Sequence, residues 1–306
     1  MTERLPPEVA RLLELRTAVR AARDWGAADE LRDQIRSHGW EPVDTPDGST
    51  ARPAAPPTTA ELGSLLDEPA SLEASVVVVV DDDPEDLVRL LGGLAAHPPS
   101  VSWELLVVAN AAPVAIEPLL NGAWPGDGSL PRPTVLHADA RLGWADAVNL
   151  GLRRSRGAVT ILLDSSLEPV GEAIGPLLAA FDDPTVGVAG GWGVTSTDAR
   201  EFVDAPPGPV HAIEAYCLAI RREALRAVGG FDPGYRFYRH ADLDLSFAIR
   251  DAGWHALRTE PLPFVRHPHR GWEAHPAEER DRLSKRNFYR FLKRWRDRPD
   301  LVAPRS

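Results

Sequence analysis

The sequence predicts an α/β protein with a mostly parallel sheet and helices on both faces, and two observations carry this prediction. Five consecutive valines at residues 76–80 are typical of a strand that is buried on both of its faces. Strand-like and helix-like segments then alternate along the chain, which is the pattern of a parallel sheet covered by helices. Open sheets of this kind bind ligands beyond the carboxyl ends of their strands.

Four strands and two helices make up the alternation. We place the strands at residues 75–80, 103–108, 135–138 and 158–163, and the helices at residues 87–96 and 145–155. Acidic residues follow two of these strands: Asp81, Asp82 and Asp83 follow the first, and Asp164 follows the fourth. The sequence therefore predicts a ligand site at this edge of the sheet.

A separate helical segment precedes this domain. Apolar side chains at residues 12, 15, 19 and 22 recur at three- and four-residue steps, a break falls near Trp25, and Gly39 resembles a helix stop. We predict a helical hairpin of about 30 residues, which is too small to have a strong core of its own.

Two changes of composition divide the chain. Residues 45–57 are rich in Pro, Thr, Ala and Gly, which is typical of an extended, mobile linker, and a new domain begins near Ser75. We therefore predict a hairpin at residues 1–50, a linker at residues 51–72 and an α/β domain at residues 73–300.

The bulk composition limits the function. A net charge of -11 over 306 residues argues against a general nucleic-acid binder, which usually has a basic face. The single cysteine, Cys217, excludes an internal disulfide and a metal cluster made of cysteines alone. No apolar run approaches the roughly 20 residues of a membrane helix, and the charged start has no apolar signal core. We expect a soluble protein of the cytoplasm.

Three segments occur in an order that points to a known family. They are RLGWADAVNLGLRRSRGAVTILLDSSLEP (141–169), DPTVGVAGG (183–191) and RREALRAVGGFDPGYRFYRHADLDLSFAIRDAGW (221–254). Together they resemble the family-2 glycosyltransferases, which have the GT-A fold, over about residues 75–296. The resemblance implies an inverting transfer of a sugar from a nucleotide-sugar donor to an acceptor hydroxyl. It also implies a divalent cation, Mn²⁺ or Mg²⁺, beside the departing diphosphate.

The metal-binding motif of that family is altered in this chain. Its Asp-x-Asp corresponds to residues 164–166, where Asp164 is present but Ser166 replaces the second carboxylate. A hydroxyl is a poor substitute for a carboxylate toward a hard cation. In family members a late histidine can complete the site; His267 matches that position best, and His269 lies two residues on. The resemblance thus implies Asp164 and His267 as metal ligands, and the alternative is that both histidines belong to a surface loop.

The catalytic motif is also altered. The family's Glu-Asp-x-Asp-Leu becomes ADLDL at residues 241–245, so Ala241 replaces a carboxylate that shares or carries the base role in some members. Asp242 is retained and is our candidate general base, because the acceptor hydroxyl must lose its proton. We predict that Asp244 caps the helix that runs to Arg250. The alternative is that both carboxylates only cap or solvate the start of that helix.

The nucleotide pocket differs most from the family pattern. Ala109 stands where the family usually has an Asp that holds the base, and the amide of the next residue, Asn110, can still hydrogen-bond a base. The three carboxylates at residues 81–83 would repel a diphosphate unless a cation intervened. They either bind a metal or cap the helix that begins at Pro84, and we favour the cap. The candidate nucleotide-binding residues are Asp81, Asn110 and Asp164.

The front of the chain carries a second resemblance. The segment ARDWGAADELRDQIRSHGWEPVDTPDGS (22–49) is similar to the C-terminal end of cysteinyl-tRNA synthetases, and none of the catalytic region of those enzymes is present. A tRNA partner is one interpretation. A hairpin used for packing or dimerisation is the other, and we favour it because arginines alternate here with Asp and Glu.

A second function class competes with the enzyme. The replacements at Ala109, Ser166 and Ala241 favour a catalytically degenerate, glycosyltransferase-like binding or scaffold protein, with RNA linked through the hairpin as a variant of it. The acceptor of an active enzyme would be a sugar, a lipid or a protein. Eight basic residues at 282–298 suit either peripheral contact with anionic lipid or a solvated terminal helix.

Overall fold

The computed structural model describes residues 5–37, 40–45, 48–53, 63–81, 84–110, 130–138 and 140–302. The chain divides into two compact units, Met1–Pro57 and Thr58–Ser306. The predictions made for Asp82 and Asp83 lie outside the described residues.

The first unit contains the predicted helical pair and a β-hairpin. Its elements are helices α1 (Pro7–Ala21) and α2 (Trp25–Ser37) and the antiparallel strands β1 (Trp40–Thr45) and β2 (Gly48–Pro53). Trp40 of β1 is buried in one cluster with Val9, Leu13 and Ile35 of the helices. Strand β2 lies within residues 45–57, so this segment is not the simple extended linker that its composition predicts. The linker predicted at residues 51–72 begins inside the same strand. Two short helices bury little surface, and the hairpin adds to their core.

The second unit is organised around an eight-stranded sheet in the order β11-β14-β8-β13-β6-β3-β4-β5. Strands β6, β3, β4 and β5 run parallel to one another, whereas β13 is antiparallel to both of its neighbours. The strands are β3 (Leu72–Val80), β4 (Trp103–Asn110), β5 (Thr134–Ala138), β6 (Gly157–Leu163), β8 (Val186–Gly190), β11 (Gly208–Val210), β13 (Cys217–Arg221) and β14 (His255–Arg258).

Smaller strands and seven helices complete the second unit as described. Strands β9 (Gly193–Thr195), β10 (Val203–Asp204) and β12 (Ala212–Ile213) form one small sheet, and β7 (Leu167–Pro169) pairs with β15 (Phe264–Arg266). The helices are α3 (Pro84–Ala96), α4 (Trp144–Arg154), α5 (Ile174–Leu178), α6 (Arg222–Val228), α7 (Ala241–Asp251), α8 (Arg270–Glu273) and α9 (Ala277–Trp295). Short 3₁₀ turns occur at Ala179–Asp182 and Pro299–Leu301.

Four of the five valines are buried and Val79 is partly buried, because the two faces of β3 belong to two different cores. Val76 and Val78 pack into the cluster that contains the leucines of α3, and Val77 packs into the cluster that contains α4. Helix α4 approaches the sheet closely: a β-carbon at Gly151 would lie 2.4 Å from a methyl group of Val77. This confirms the prediction of a central strand covered on both faces.

Helix α9 covers α7 and explains the position of Asp244. Phe291 and Trp295 of α9 pack against Phe247 of α7 in a third cluster. The Asp244 carboxylate accepts hydrogen bonds from the Trp295 indole at 2.7 Å and from Arg294 at 2.9 Å. Our prediction that Asp244 caps α7 was wrong, because this side chain faces α9 instead. None of the helices in the described part of the chain is both long and apolar enough to cross a membrane.

Candidate active site

The candidate residues meet at the carboxyl ends of the parallel strands. Asp81 follows β3, Asn110 ends β4, and Asp164 follows β6. These three strands are neighbours in the sheet, with β3 between β6 and β4. The sheet therefore brings together residues that are more than 80 positions apart, as its parallel topology predicts.

Asp164 is held in place from three directions. Its backbone N–H donates to the Tyr216 carbonyl at 2.9 Å, and its Oδ1 accepts from both the N–H and the hydroxyl of Ser166. Its Oδ2 lies 3.2 Å from Nε2 of His269. Burial alone would raise the pKa of Asp164, but the charge and hydrogen bonds of His269 and Ser166 outweigh it and lower this pKa. The carboxylate is thus ionised at neutral pH.

The structure brings His269 to Asp164, and it does not bring His267 there. Strand β15 pairs with β7 so that Arg266 lies opposite Leu167, and the next residue, His267, comes to lie beside Glu168. The Nε2 atom of His267 is 2.6 Å from Oε2 of Glu168. The geometry therefore corrects our choice of His267 as the partner of Asp164. The pairing of β15 with β7 holds His267 against Glu168, and the chain reaches Asp164 only two residues later, at His269.

His269 has a fixed orientation. It is the N-cap of α8, where its Nδ1 accepts the Trp272 N–H at 3.1 Å. Its ring stacks on Tyr238 with centroids 4.6 Å apart and an interplanar angle of 14°. Burial alone would lower the pKa of His269, but Asp164 outweighs it and raises this pKa.

Asp164 and His269 can supply only part of a cation site. Among the described residues, no three His, Cys, Asp or Glu side chains gather into a group that could hold a metal. Protein sites for Mg²⁺ often provide one or two carboxylates and leave the other positions to water and substrate phosphates. The pair therefore fits a cation that is held jointly with a diphosphate and displaces the proton on Nε2 of His269.

Asn110 lies at the site but has its amide fully engaged. It is 4% exposed, its Nδ2 donates to Asp81 at 2.8 Å, and its Oδ1 accepts the Leu142 N–H at 2.8 Å. These bonds leave little capacity to recognise a base, so the structure favours a supporting role for Asn110. Asp81 in turn lies 3.5 Å from Arg141.

Two cavities open at this edge of the sheet. The smaller, of about 150 Å³, is lined by Asp81, Arg141 and Arg270 among others. The larger, of about 450 Å³, is lined by Tyr238, Arg239, Glu214 and Asp242 among others. Both cavities share four residues, which are Trp144, Asp164, Ala215 and His269. The larger volume is in the range of a small-molecule site.

Asp242 presents its carboxylate to the larger cavity from the first turn of α7. Its Oδ2 accepts the Ala215 N–H at 3.2 Å, and its Oδ1 accepts the Leu243 N–H at 3.0 Å. His240, just before the helix, has φ 67°, a left-handed conformation that non-glycine residues rarely adopt. Burial raises the pKa of Asp242, and the two backbone N–H groups offset only part of this effect. A carboxylate with a raised pKa suits a general base.

Glu214 is a site residue that the sequence reasoning missed. It lies between β12 and β13, is half-buried, and lines the larger cavity with Asp242. Burial raises the pKa of Glu214, and the charge of Asp242 adds to the effect. A single glutamate before an apolar strand forms no motif, so the only available signal was a carboxylate next to a buried segment.

Comparisons with known proteins agree with the architecture. Residues 75–245 match the family model described as Glycosyl transferase family 2, and residues 2–40 match the Cysteinyl-tRNA ligase anticodon binding domain. The cysteine–tRNA ligase of Methanosarcina acetivorans is 42% identical over 52 residues, which are 17% of this chain and 11% of that protein. Both resemblances noted in the sequence are confirmed.

Two solved structures share the fold. One is GalNAc-T7 with UDP, GalNAc and Mn²⁺, at 17% identity and a TM-score of 0.59, over 75% of this chain and 50% of that chain. The other is the mannosyltransferase PcManGT from Pyrobaculum calidifontis in complex with GDP-Man and Mn²⁺, at 20% identity and a TM-score of 0.55, over 75% and 68%. This chain spans half the length of the first structure. The GT-A fold predicted for the larger unit is confirmed.

Proposed function

This chain belongs to glycosyl transferase family 2, and we propose that it is an enzyme that transfers a sugar, with inversion, from a nucleotide-sugar donor to an acceptor hydroxyl. One observation carries the proposal: Asp164 and His269 lie where the two cavities meet. A donor whose diphosphate occupies the smaller cavity would thus have its sugar at the mouth of the larger one.

The smaller cavity suits the diphosphate. Arg141 and Arg270 line it, and guanidinium groups match the geometry of phosphate oxygens. Asp164 and His269 would hold a divalent cation, Mn²⁺ or Mg²⁺, which when bound neutralises charge on the leaving group. Asn110 supports this side by fixing Asp81 and the backbone at Leu142.

The larger cavity suits the acceptor. Asp242 takes the proton of the acceptor hydroxyl, and the oxygen forms a bond to the anomeric carbon from the face opposite the leaving group. The bond from that carbon to the phosphate oxygen breaks, and its electron pair leaves with the nucleoside diphosphate. Attack in line from the opposite face inverts the configuration. The enclosing aromatic side chains of Trp144 and Tyr238 limit the orientations open to a sugar ring.

A second candidate, a non-catalytic binding protein with this fold, is favoured by one observation. Ser166 donates two hydrogen bonds to Oδ1 of Asp164, so this oxygen is satisfied without a cation. Such a protein would still use the cavities to hold a ligand. It would show no turnover of a nucleotide sugar.

Thermal unfolding with UDP, GDP and dTDP, each with and without manganese, tests the proposal. We expect one nucleotide to raise the unfolding temperature, more so with manganese, and the shift to vanish in Asp164→Ala. Turnover of the matching nucleotide sugar then separates the enzyme from the binding protein. The absence of any shift with all three nucleotides would contradict the transferase and would favour the non-catalytic binding protein.

A further inference from the structure

Asp242 and Glu214 are two of the four acidic residues that line the larger cavity, and they come from different elements. Asp242 lies in the first turn of α7, and Glu214 lies in the loop between β12 and β13. They are 28 positions apart in the sequence and share no motif. Their meeting in one cavity is a product of the fold.

The backbone around Glu214 is tied to the elements on both sides. Its own N–H donates to the Trp192 carbonyl at 3.0 Å. The N–H of Ile213 donates to the Ser246 hydroxyl at 3.1 Å, and the N–H of Ala215 donates to Asp242 at 3.2 Å. The last of these bonds couples the loop directly to the Asp242 carboxylate.

The side chain of Glu214, by contrast, is available to a ligand. Its carboxylate accepts no hydrogen bond from the residues that the structure describes, although the group is half-buried and lines the cavity. A carboxylate removed from water usually gains compensating partners. A fixed backbone with an unengaged carboxylate is the arrangement expected of a group that awaits a substrate.

The charges around Glu214 come from several elements. Asp242 of α7 and Asp204 of β10 raise its pKa in addition to burial, while Arg266 and Arg239 lower it. The net effect is a raised pKa. The charge of Asp242 therefore affects the titration of Glu214.

Ala241 precedes Asp242 at the start of α7. It is 1% exposed, so its methyl group lies in the core and leaves no acidic group at the position before Asp242. Resting on the proposed function, we propose that Glu214 is a second catalytic residue, which forms with Asp242 a pair that shares the proton released by the acceptor hydroxyl. The hydroxyl O–H bond breaks, its electrons form the new bond to the anomeric carbon, and the phosphate oxygen leaves with the old bonding pair. The proton stays on the carboxylate pair until it is lost to water.

Carboxyl ¹³C titration tests the pair without any need for turnover. The Glu214 resonance is assigned by its disappearance in Glu214→Gln and is followed with pH in the full chain and in Asp242→Asn. We expect the pKa of Glu214 to fall in Asp242→Asn, because a neighbouring negative charge is removed. An unchanged pKa of Glu214 would overturn the pair.

Hydrolysis of UDP-GlcNAc and GDP-mannose, with water in place of the acceptor, tests the catalytic role. We expect Glu214→Gln to lower the rate about 10- to 100-fold, at or below the lower end of the ~10²–10⁴ range that general acid–base catalysis supplies, because Asp242 remains. The double variant with Asp242→Asn should be no slower than Asp242→Asn alone, because the two residues act as a unit. Glu260→Gln, at an exposed glutamate outside the cavities, is the matched control.

The outcomes separate this inference from the proposed function. Nucleotide affinity should be unchanged in Glu214→Gln. Its unfolding temperature at neutral pH should not fall, because an ionised carboxylate whose pKa is raised by folding destabilises the folded protein. Glu214→Asp should recover part of the rate. If the wild type turns over a donor and Glu214→Gln is as fast as Glu260→Gln, the catalytic role of Glu214 is wrong while the proposed function stands. If the wild type binds and hydrolyses neither donor, both the proposed transfer of these sugars and the catalytic role fail, and the titration still decides whether the pair exists.

Discussion

On the diphosphate side of the site, Ser166 occupies the position of a second carboxylate, and its hydroxyl donates to Asp164. On the acceptor side, Ala241 occupies the position of a carboxylate and is buried, while Glu214 brings an acidic group into the same cavity from another loop. The first replacement removes a negative charge from the site. The second leaves Asp242 and Glu214 in the same cavity, which Asp164 and Asp204 also line.

The loss of a carboxylate from a sequence motif therefore does not by itself mean that the cavity has lost an acidic group at that side. At residues 164–166 the lost carboxylate has no substitute among the described residues other than the imidazole of His269. In the acceptor cavity Glu214 supplies an acidic group in addition to Asp242, although the motif is broken. Variants on each side should therefore affect different measurements, donor binding on one and the pH dependence of turnover on the other.

The largest effect is expected from Asp164→Ala, which removes the only acidic side chain at residues 164–166 and so tests the diphosphate side of the site alone. We expect nucleotide affinity with manganese to fall at least ~10²-fold, because the variant removes an ionised ligand from a partly dehydrated site. Isothermal titration with the preferred nucleoside diphosphate measures it. Affinity equal to that of the wild type would mean that the diphosphate is held elsewhere.

The next effect separates the two histidines. We expect His269→Ala to raise the manganese concentration needed for half-maximal binding about 10- to 100-fold, the range typical for groups that orient a metal site. His267→Ala is the matched control, because its ring contacts Glu168 rather than Asp164. The reverse ranking of the two variants would show that the loop after β15 rearranges when donor binds.

A smaller effect is expected in the pH profile of turnover. Asp242 acts as a base only when ionised, and burial raises its pKa, so the rate should fall at a higher pH than the ~3.9 of an ordinary aspartate. Removal of the neighbouring charge in Glu214→Gln should move this acid limb to lower pH. An acid limb at the same pH in the wild type and in Glu214→Gln would contradict the proposed interaction between Asp242 and Glu214.

The smallest effect distinguishes the two aspartates of the ADLDL segment. Asp244→Ala should lower the free energy of unfolding by about 1–3 kcal/mol, because the buried indole N–H of Trp295 loses its acceptor. Turnover per folded molecule should stay within a few-fold of the wild type. Urea unfolding followed by tryptophan fluorescence measures the stability, and a large loss of turnover with normal stability would place Asp244 in the chemistry instead.

Most of the fold could be predicted from local patterns in the sequence. The valine run, the alternation of elements and the carboxylate after the fourth predicted strand identified β3, the sheet and Asp164. These signals depend on side-chain periodicity and on strand ends, which a single segment displays. The hairpin of β1 and β2 was missed because its proline- and glycine-containing sequence is typical of a linker as well as of paired strands.

The details of the site depend on contacts between distant segments, and these the sequence does not display. The choice of His269 over His267 follows from the pairing of β15 with β7, about 100 residues earlier in the chain. The engagement of Asn110 depends on a backbone N–H that lies 32 positions away. Glu214 became a candidate only when the fold placed it in the same cavity as Asp242.

We would test whether Asp164 and His269 hold a cation together with the diphosphate by X-ray crystallography. Crystals are soaked with manganese and with the nucleoside diphosphate that thermal unfolding selects. We predict an anomalous manganese peak that is in contact with Asp164, His269 and the diphosphate, with the diphosphate in the smaller cavity. A peak beside His267 and Glu168, or a smaller cavity that side chains fill and no nucleotide enters, would contradict the account.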